Sequence, residues 1–208
     1  FEERGSLDTK ALFRHFQFGQ LDRVYSVSEA GKQYLQKRYP AYADKVATAY
    51  LGSTPPRAIP EFKATGPLVV VSCARVRNVK RIHLIGEALC HVDIPVRWVH
   101  FGQADANSTD PTVALYYAAL EILAQKPNVE VVSMGAVPNT AVLEWYATNP
   151  VHLFISLSEN EGIPVSMMEA IGSGIPILST DVGGCSEIVN ERTGMLIPKD
   201  TSAEQVAR

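Results

Sequence analysis

From Pro67 onward, short apolar runs alternate with helical stretches, and this alternation leaves few architectures open to the chain. The runs PLVVVSCA, PVRWVHF, VEVVSM, VHLFISLS, IPILST and GMLIP are continuously apolar. Strands covered on both faces read this way, whereas half-exposed strands alternate polar and apolar residues. Between the runs, the spacing predicts helices over residues 80–90, 111–125, 140–148 and 164–171, with a short one near 185–189. Strand and helix in strict alternation argue for an α/β fold, a doubly wound parallel sheet of Rossmann-like form. An apolar content of 46% is enough to fill its core.

The first fifty residues follow a different pattern. A helix is expected from about Asp8 to Phe18, then a short strand in DRVYSVS. Ser28 is placed to cap a helix running to Arg38, and KVATAYLG reads as a second short strand. The segment STPPRAIPEFKATGP carries four prolines and reads as a linker. The expected division is the end of one domain over residues 1–52, a linker over 53–66 and a second domain over 67–208. The sequence opens at Phe1 without a Met. It closes just after a helix-start signal, Thr201 and Glu204 in TSAE, which reads as a capping box with little helix behind it. The expectation is a chain truncated at both ends.

Several function classes lose support. A net charge of −3 gives no electrostatic footprint for nucleic acid. The three cysteines, Cys73, Cys90 and Cys185, are far apart and match no zinc or disulfide spacing, which fits a reducing cytoplasm. No run approaches the length of a membrane span, and no signal-peptide pattern is read here, so neither a span nor a leader is expected. The five histidines do not cluster at ligand spacing. There is no Walker A loop and no Asp-x-Asp pair. GSGIPI lies between a helix and a strand, the wrong order for a dinucleotide fingerprint.

Ligands of doubly wound sheets bind at the carboxyl ends of the strands. After the first strand, SCARVRNVKR places Arg75 and Lys80 in the loop and at the next helix start. Fixed cations there suit an anion, because helix N–H groups add to their charge; the alternative is a solvated loop. After the fourth strand, ENEGIPVSMMEA places Glu161 in a turn and Glu169 within an otherwise apolar helix. Gly162 permits a close turn, Pro164 suits a first helical position, and Ser166 shares a face with Glu169. A carboxylate in apolar surroundings needs partners. An ionised Glu169 can accept two hydrogen bonds from a vicinal diol; alternatively it pairs with an Arg or backbone, and Glu161 caps the helix. After the fifth strand, Gly183-Gly184 in STDVGGCSE allows close approach of a ligand or simply forms a turn.

These stretches together resemble the retaining family 4 glycosyltransferases of the GT-B class. NEGIPVSMMEAIGSGIPILSTDVGGCSEIVNERTGMLIP is similar to that family's donor signature, including its Glu-x7-Glu pair as Glu161 and Glu169. ARVRNVKRIHLIGEAL resembles its phosphate-binding segment, VSMGAVPNTAVLEWYA the stretch beside the base, and DRVYSVSEAGKQYLQKRYP the end of its N-terminal domain. The resemblance implies two Rossmann-like domains, the C-terminal one holding a UDP- or GDP-linked sugar and the N-terminal one a glycan or lipid-linked acceptor. It implies that Arg75 and Lys80 stabilise the leaving diphosphate without a metal or other cofactor. Glu161 would contact the sugar, and Glu169 the ribose. Gly162, Ile163, Pro164, Val165 and Ser166 would meet sugar and phosphates, with Gly183 and Gly184 near the donor and Val137 and Pro138 beside the base.

The resemblance also leaves room for peripheral membrane association through the N-terminal domain. Two features depart from the family pattern. Ile163-Pro164 replaces a common Phe-Gly, which removes one backbone donor, and FGQADANSTDP is longer than the usual loop. Within the same fold, a sugar phosphorylase, an epimerase or a non-catalytic nucleotide-sugar-binding subunit are the alternatives.

Overall fold

The computed structural model describes residues 17–54, 58–61 and 65–208. It contains two parallel sheets. The smaller pairs β1 (Val24–Ser26) with β2 (Val46–Thr48), and α1 (Glu29–Arg38) lies between them in sequence. Ser28 caps α1 as expected, its hydroxyl accepting from the Gly31 N–H at 2.9 Å. The helix expected over 8–18 lies almost wholly outside the described residues.

The larger sheet comprises β3 (Leu68–Cys73), β4 (Val96–Phe101), β5 (Val129–Gly135), β6 (Leu153–Ser156), β7 (Ile177–Thr180) and β8 (Gly194–Ile197). All its pairings are parallel, in the order β5-β4-β3-β6-β7-β8. The chain works outward from β3 to one edge, then crosses back to β6 and works outward to the other. That order makes the sheet doubly wound, with its topological switch point between β3 and β6.

Helices cover both faces, which is why the strands are apolar throughout. On one side, α2 (Ile82–Cys90), α3 (Pro111–Leu123) and the short α6 (Ala203–Val206) close a core that includes Val70, Ile85, Trp98, Tyr116 and Leu123. On the other, α4 (Asn139–Thr148) and α5 (Val165–Gly172) close a core of Val71, Phe101, Val142, Tyr146, Phe154 and Met167. Successive strand residues divide between the layers: Val70 belongs to the first and Val71 to the second.

Two expected boundaries move for local reasons. The helix predicted from Lys80 begins at Ile82, because Arg81 is left-handed at φ +46° and separates α2 from a 3₁₀ turn over Asn78–Lys80. The capping box near the C-terminus is Ser202 with Gln205, one residue beyond the predicted pair. Among the described residues, no helix is long and apolar enough to cross a membrane.

Candidate functional site: the crevice at the switch point

At the carboxyl edge of the sheet, the loops following β3 and β6 face each other and are tied together. The Glu159 N–H donates to the Val79 carbonyl at 2.8 Å, and Arg81 Nε donates to the Leu157 carbonyl at 2.6 Å. The guanidinium also donates to the Lys199 carbonyl at 3.1 Å. Arg81 was not singled out in the sequence. It fixes the loop that carries Lys80, and burial lowers its pKa from the ordinary value.

Lys80 Nζ lies 2.6 Å from Glu161 Oε1, and the Ser158 hydroxyl donates to the same oxygen at 2.6 Å. Thr180 Oγ1 holds the Ser158 carbonyl at 2.6 Å from beneath. The Glu161 side chain is only 8% exposed, whereas that of Lys80 is 28% exposed. A carboxylate so deeply placed needs a counter-charge and hydrogen bonds, and this one has both. Glu161 therefore does not serve as a cap for α5. That helix starts with Pro164 as its N-cap and no capping side chain. The N-cap N–H is one of the four unpaired donors at a helix start, so the proline removes one of these and leaves the others, including those of Val165 and Ser166. A fixed ammonium thus stands on the β3 loop, and a positive helix end on the β6 side, in the same crevice.

Glu169 is 8% exposed and lies on the same helical face as Ser166, three residues on. Its partner is neither an Arg nor backbone: Asn139 Nδ2 donates to Oε1 at 2.9 Å. Burial, with the Glu169 charge adding to it, pushes the nearby Cys73 thiol up to about 11, so Cys73 is a neutral, unreactive wall. Among the described residues the buried Tyr146 hydroxyl has no hydrogen-bond partner, and its pKa is pushed well above 10 by the same burial.

Beyond Glu169, a cavity of about 210 Å³ opens between the ends of β3, β4 and β5 and the start of α4. Cys73, Arg75, Phe101, Gly102, Val137 and Val142 are among its lining residues. Pro138, the N-cap of α4, adjoins it in sequence. Arg75 lines this cavity and is not joined to the Lys80 cluster. It makes a loose pair with Asp105 at 3.4 Å, with both side chains about two-thirds exposed or more. The long loop after β4 explains the pairing, since it folds back on the β3 loop: the Val76 N–H reaches the Gln103 carbonyl, and the Asn78 N–H reaches Asp110, which also caps α3.

Gly183 and Gly184 make a close approach, but to backbone. A Cβ on Gly183 (φ +55°) would lie 1.7 Å from the Glu161 carbonyl oxygen, and one on Gly184 would lie 2.4 Å from that of Gly162. The Gly184 N–H also donates to the Gly162 carbonyl at 2.8 Å. The pair thus backs the Glu161 loop. Glu187, three residues on, reaches the start of α1 and Tyr50, beside the smaller sheet. Its carboxylate accepts from the Glu29 N–H at 2.8 Å, the Ala30 N–H at 3.0 Å and the Tyr50 hydroxyl at 2.9 Å. Ser158, Asn139 and Glu187 all escaped the sequence reading. The position of Ser158 just past a strand end, and of Asn139 just past Pro138 at a helix start, were the available signals.

A family model described as glycosyl transferases group 1 matches residues 67–208. Among curated relatives, the GtfA subunit of the UDP-N-acetylglucosamine–peptide N-acetylglucosaminyltransferase of Streptococcus gordonii is 25% identical over 213 residues, which cover 95% of this chain and 39% of the relative. The putative colanic acid biosynthesis glycosyltransferase WcaL of Escherichia coli K12 is 30% identical over 167 residues, covering 76% of this chain and 39% of that one. Anabaena HepE, solved with UDP and glucose, superimposes with a TM-score of 0.69 at 18% identity, covering 89% of this chain and 52% of HepE. The lipopolysaccharide outer core galactosyltransferase WaaB superimposes with a TM-score of 0.72 at 17% identity, covering 91% of this chain and 52% of WaaB. The chain thus spans about two-fifths of the length of these curated relatives and half that of the solved ones. The family match takes in the whole larger sheet and more than half of the residues, and on that ground the chain belongs to the glycosyl transferases group 1 family.

Proposed function

We propose that this protein moves a sugar from a nucleoside-diphosphate sugar, UDP- or GDP-linked, to a glycan or lipid-linked acceptor in polysaccharide or glycan synthesis. The transfer retains the anomeric configuration and uses no metal. The observation that carries this reading is the Lys80–Glu161–Ser158 cluster at the switch point, beside the uncapped start of α5 and the buried Glu169. The HepE complex with UDP and glucose, and the sugar-transfer names of the relatives, support it.

In this reading the diphosphate lies between Lys80 and the α5 start, with Arg75 approaching from the rim. The bond from the anomeric carbon to the phosphate oxygen breaks, and its electron pair leaves on the diphosphate. A fixed cation and helix donors stabilise that charge without reorganising. The acceptor oxygen bonds to the same face of the sugar and passes its proton to the departing diphosphate oxygen. Glu161, held rigid by Ser158, receives the sugar hydroxyls; Glu169 receives the ribose; the cavity beyond, near Val137 and Pro138, receives the base. Residues 1–52 form the end of the acceptor-side domain, from which a cytoplasmic enzyme would contact a membrane-held acceptor.

Calorimetry of the full-length protein against UDP, GDP and ADP and their sugar conjugates tests the donor site. A sugar-transfer assay with and without chelator tests the chemistry. We expect one diphosphate to bind well ahead of the others and transfer to survive chelation. Failure of all three nucleotides to bind would overturn the reading.

A further inference from the structure

We propose that Asn139 is a positioning residue for the nucleotide: it locks the Glu169 carboxylate in the orientation that selects a ribose diol. This rests on the assignment of Glu169 to the ribose. Pro138 is the N-cap of α4, with φ −58° and ψ 145°, and no side chain caps that helix. Asn caps a helix from the N-cap position itself, which Pro138 occupies, so the Asn139 side chain is not engaged in capping. Here it sits one position past the cap and reaches a different helix, donating from Nδ2 to Glu169 Oε1 at 2.9 Å.

Both ends of this contact are held by the core. Val142 and Tyr146 follow Asn139 at helical spacing on the same face of α4 and are 3% and 1% exposed. Met167 and Ala170 flank Glu169 on α5 and are fully buried. With one oxygen of the carboxylate held, rotation of its plane is restrained. Among the described residues, Asn139 makes the one side-chain hydrogen bond to that carboxylate, so Oε2 and the remaining lone pair of Oε1 are left for incoming hydroxyls. A vicinal diol has two donors at the matching separation, whereas a deoxyribose has one.

The test compares UDP with 2′-deoxy-UDP, and GDP with 2′-deoxy-GDP, by calorimetry on the full-length wild type and on Asn139→Ala, Asn139→Asp and Glu169→Gln. Asn139→Ala should bind the tighter ribonucleotide about tenfold more weakly, the range of one hydrogen bond to a charged group. Its affinity for the deoxy analogue should hardly change, so the ribo-to-deoxy ratio collapses. Asn139→Asp, which cannot donate and adds a like charge, should lower the ratio at least as far. A ratio intact in both Asn139 variants but lost in Glu169→Gln overturns the role of Asn139 alone. No ribonucleotide preference in the wild type, or a preference intact in Glu169→Gln, overturns the ribose assignment and the proposal with it.

Discussion

Glu161 and Glu169 open the same crevice from opposite ends of one turn and helix, and they are held in opposite ways. The Glu161 loop is a closed network in which an ammonium and a hydroxyl converge on one carboxylate, while two glycines back the main chain that carries it. The Glu169 helix offers an open carboxylate, buried by apolar neighbours and, among the described residues, held by a single amide. The closed region presents a ready-made electrostatic arrangement that a ligand must join or partly displace. The open region leaves hydrogen-bonding capacity unused. In the proposed function, the closed region is where charge develops on the leaving diphosphate and the open one is where the ribose is recognised.

The sharpest way to break the contrast is at Lys80. Lys80→Ala should lower turnover by about 10²–10³, the usual effect of removing one fixed electrostatic donor. It also strands a nearly buried carboxylate, so thermal unfolding should show a loss of about 1–3 kcal/mol, less than for a fully buried pair because Lys80 is partly exposed. Gly183→Ala attacks the same network through the backbone. Its methyl would displace the Glu161 carbonyl from a left-handed position, and denaturation should report a loss of about 2 kcal/mol or more.

At the open end, Glu169→Gln keeps an acceptor for Asn139 but loses the charge. We expect donor KM to rise by about tenfold while stability changes by less than about 1 kcal/mol. Glu187 lies outside both regions and gives a pH test. Burial raises its carboxyl, but hydrogen bonds from the Ala30 and Glu29 N–H groups and the Tyr50 hydroxyl outweigh burial and hold it below its ordinary 4.5. A depressed folded-state pKa stabilises above the unfolded value and is lost as pH falls through the folded one. Below about pH 4.5 the wild type should therefore lose stability more steeply than Glu187→Gln in denaturation series. The smallest effect belongs to Arg75→Ala. Its exposed pair with Asp105 makes a stability change within about 0.5 kcal/mol the expectation, with a fall in turnover well short of that for Lys80→Ala.

Much of the larger sheet was legible because covered strands and helices leave different periods in a sequence. Every apolar run from PLVVVSCA to GMLIP became a strand within two residues of its expected bounds, and the Glu161 and Glu169 positions followed from looking just past the fourth. What escaped depends on register between distant residues. Nothing local to Lys80 shows that Glu161 will be its partner. Arg81 adopts a left-handed conformation that a non-glycine residue does not advertise, and this shortened the predicted helix. A glycine pair announces freedom of approach but not what will approach: at Gly183 and Gly184 it is the chain itself.

The backing of the Glu161 loop by Gly183 and Gly184 has a practical consequence. The same short segment continues to Glu187, which occupies the first amides of α1 on the smaller sheet. Those amide protons of Glu29 and Ala30 are a spectroscopic gauge already wired to the crevice. Their hydrogen-exchange rates should register any tightening or loosening of the Glu161 loop when a donor arrives, with no label introduced near the site itself.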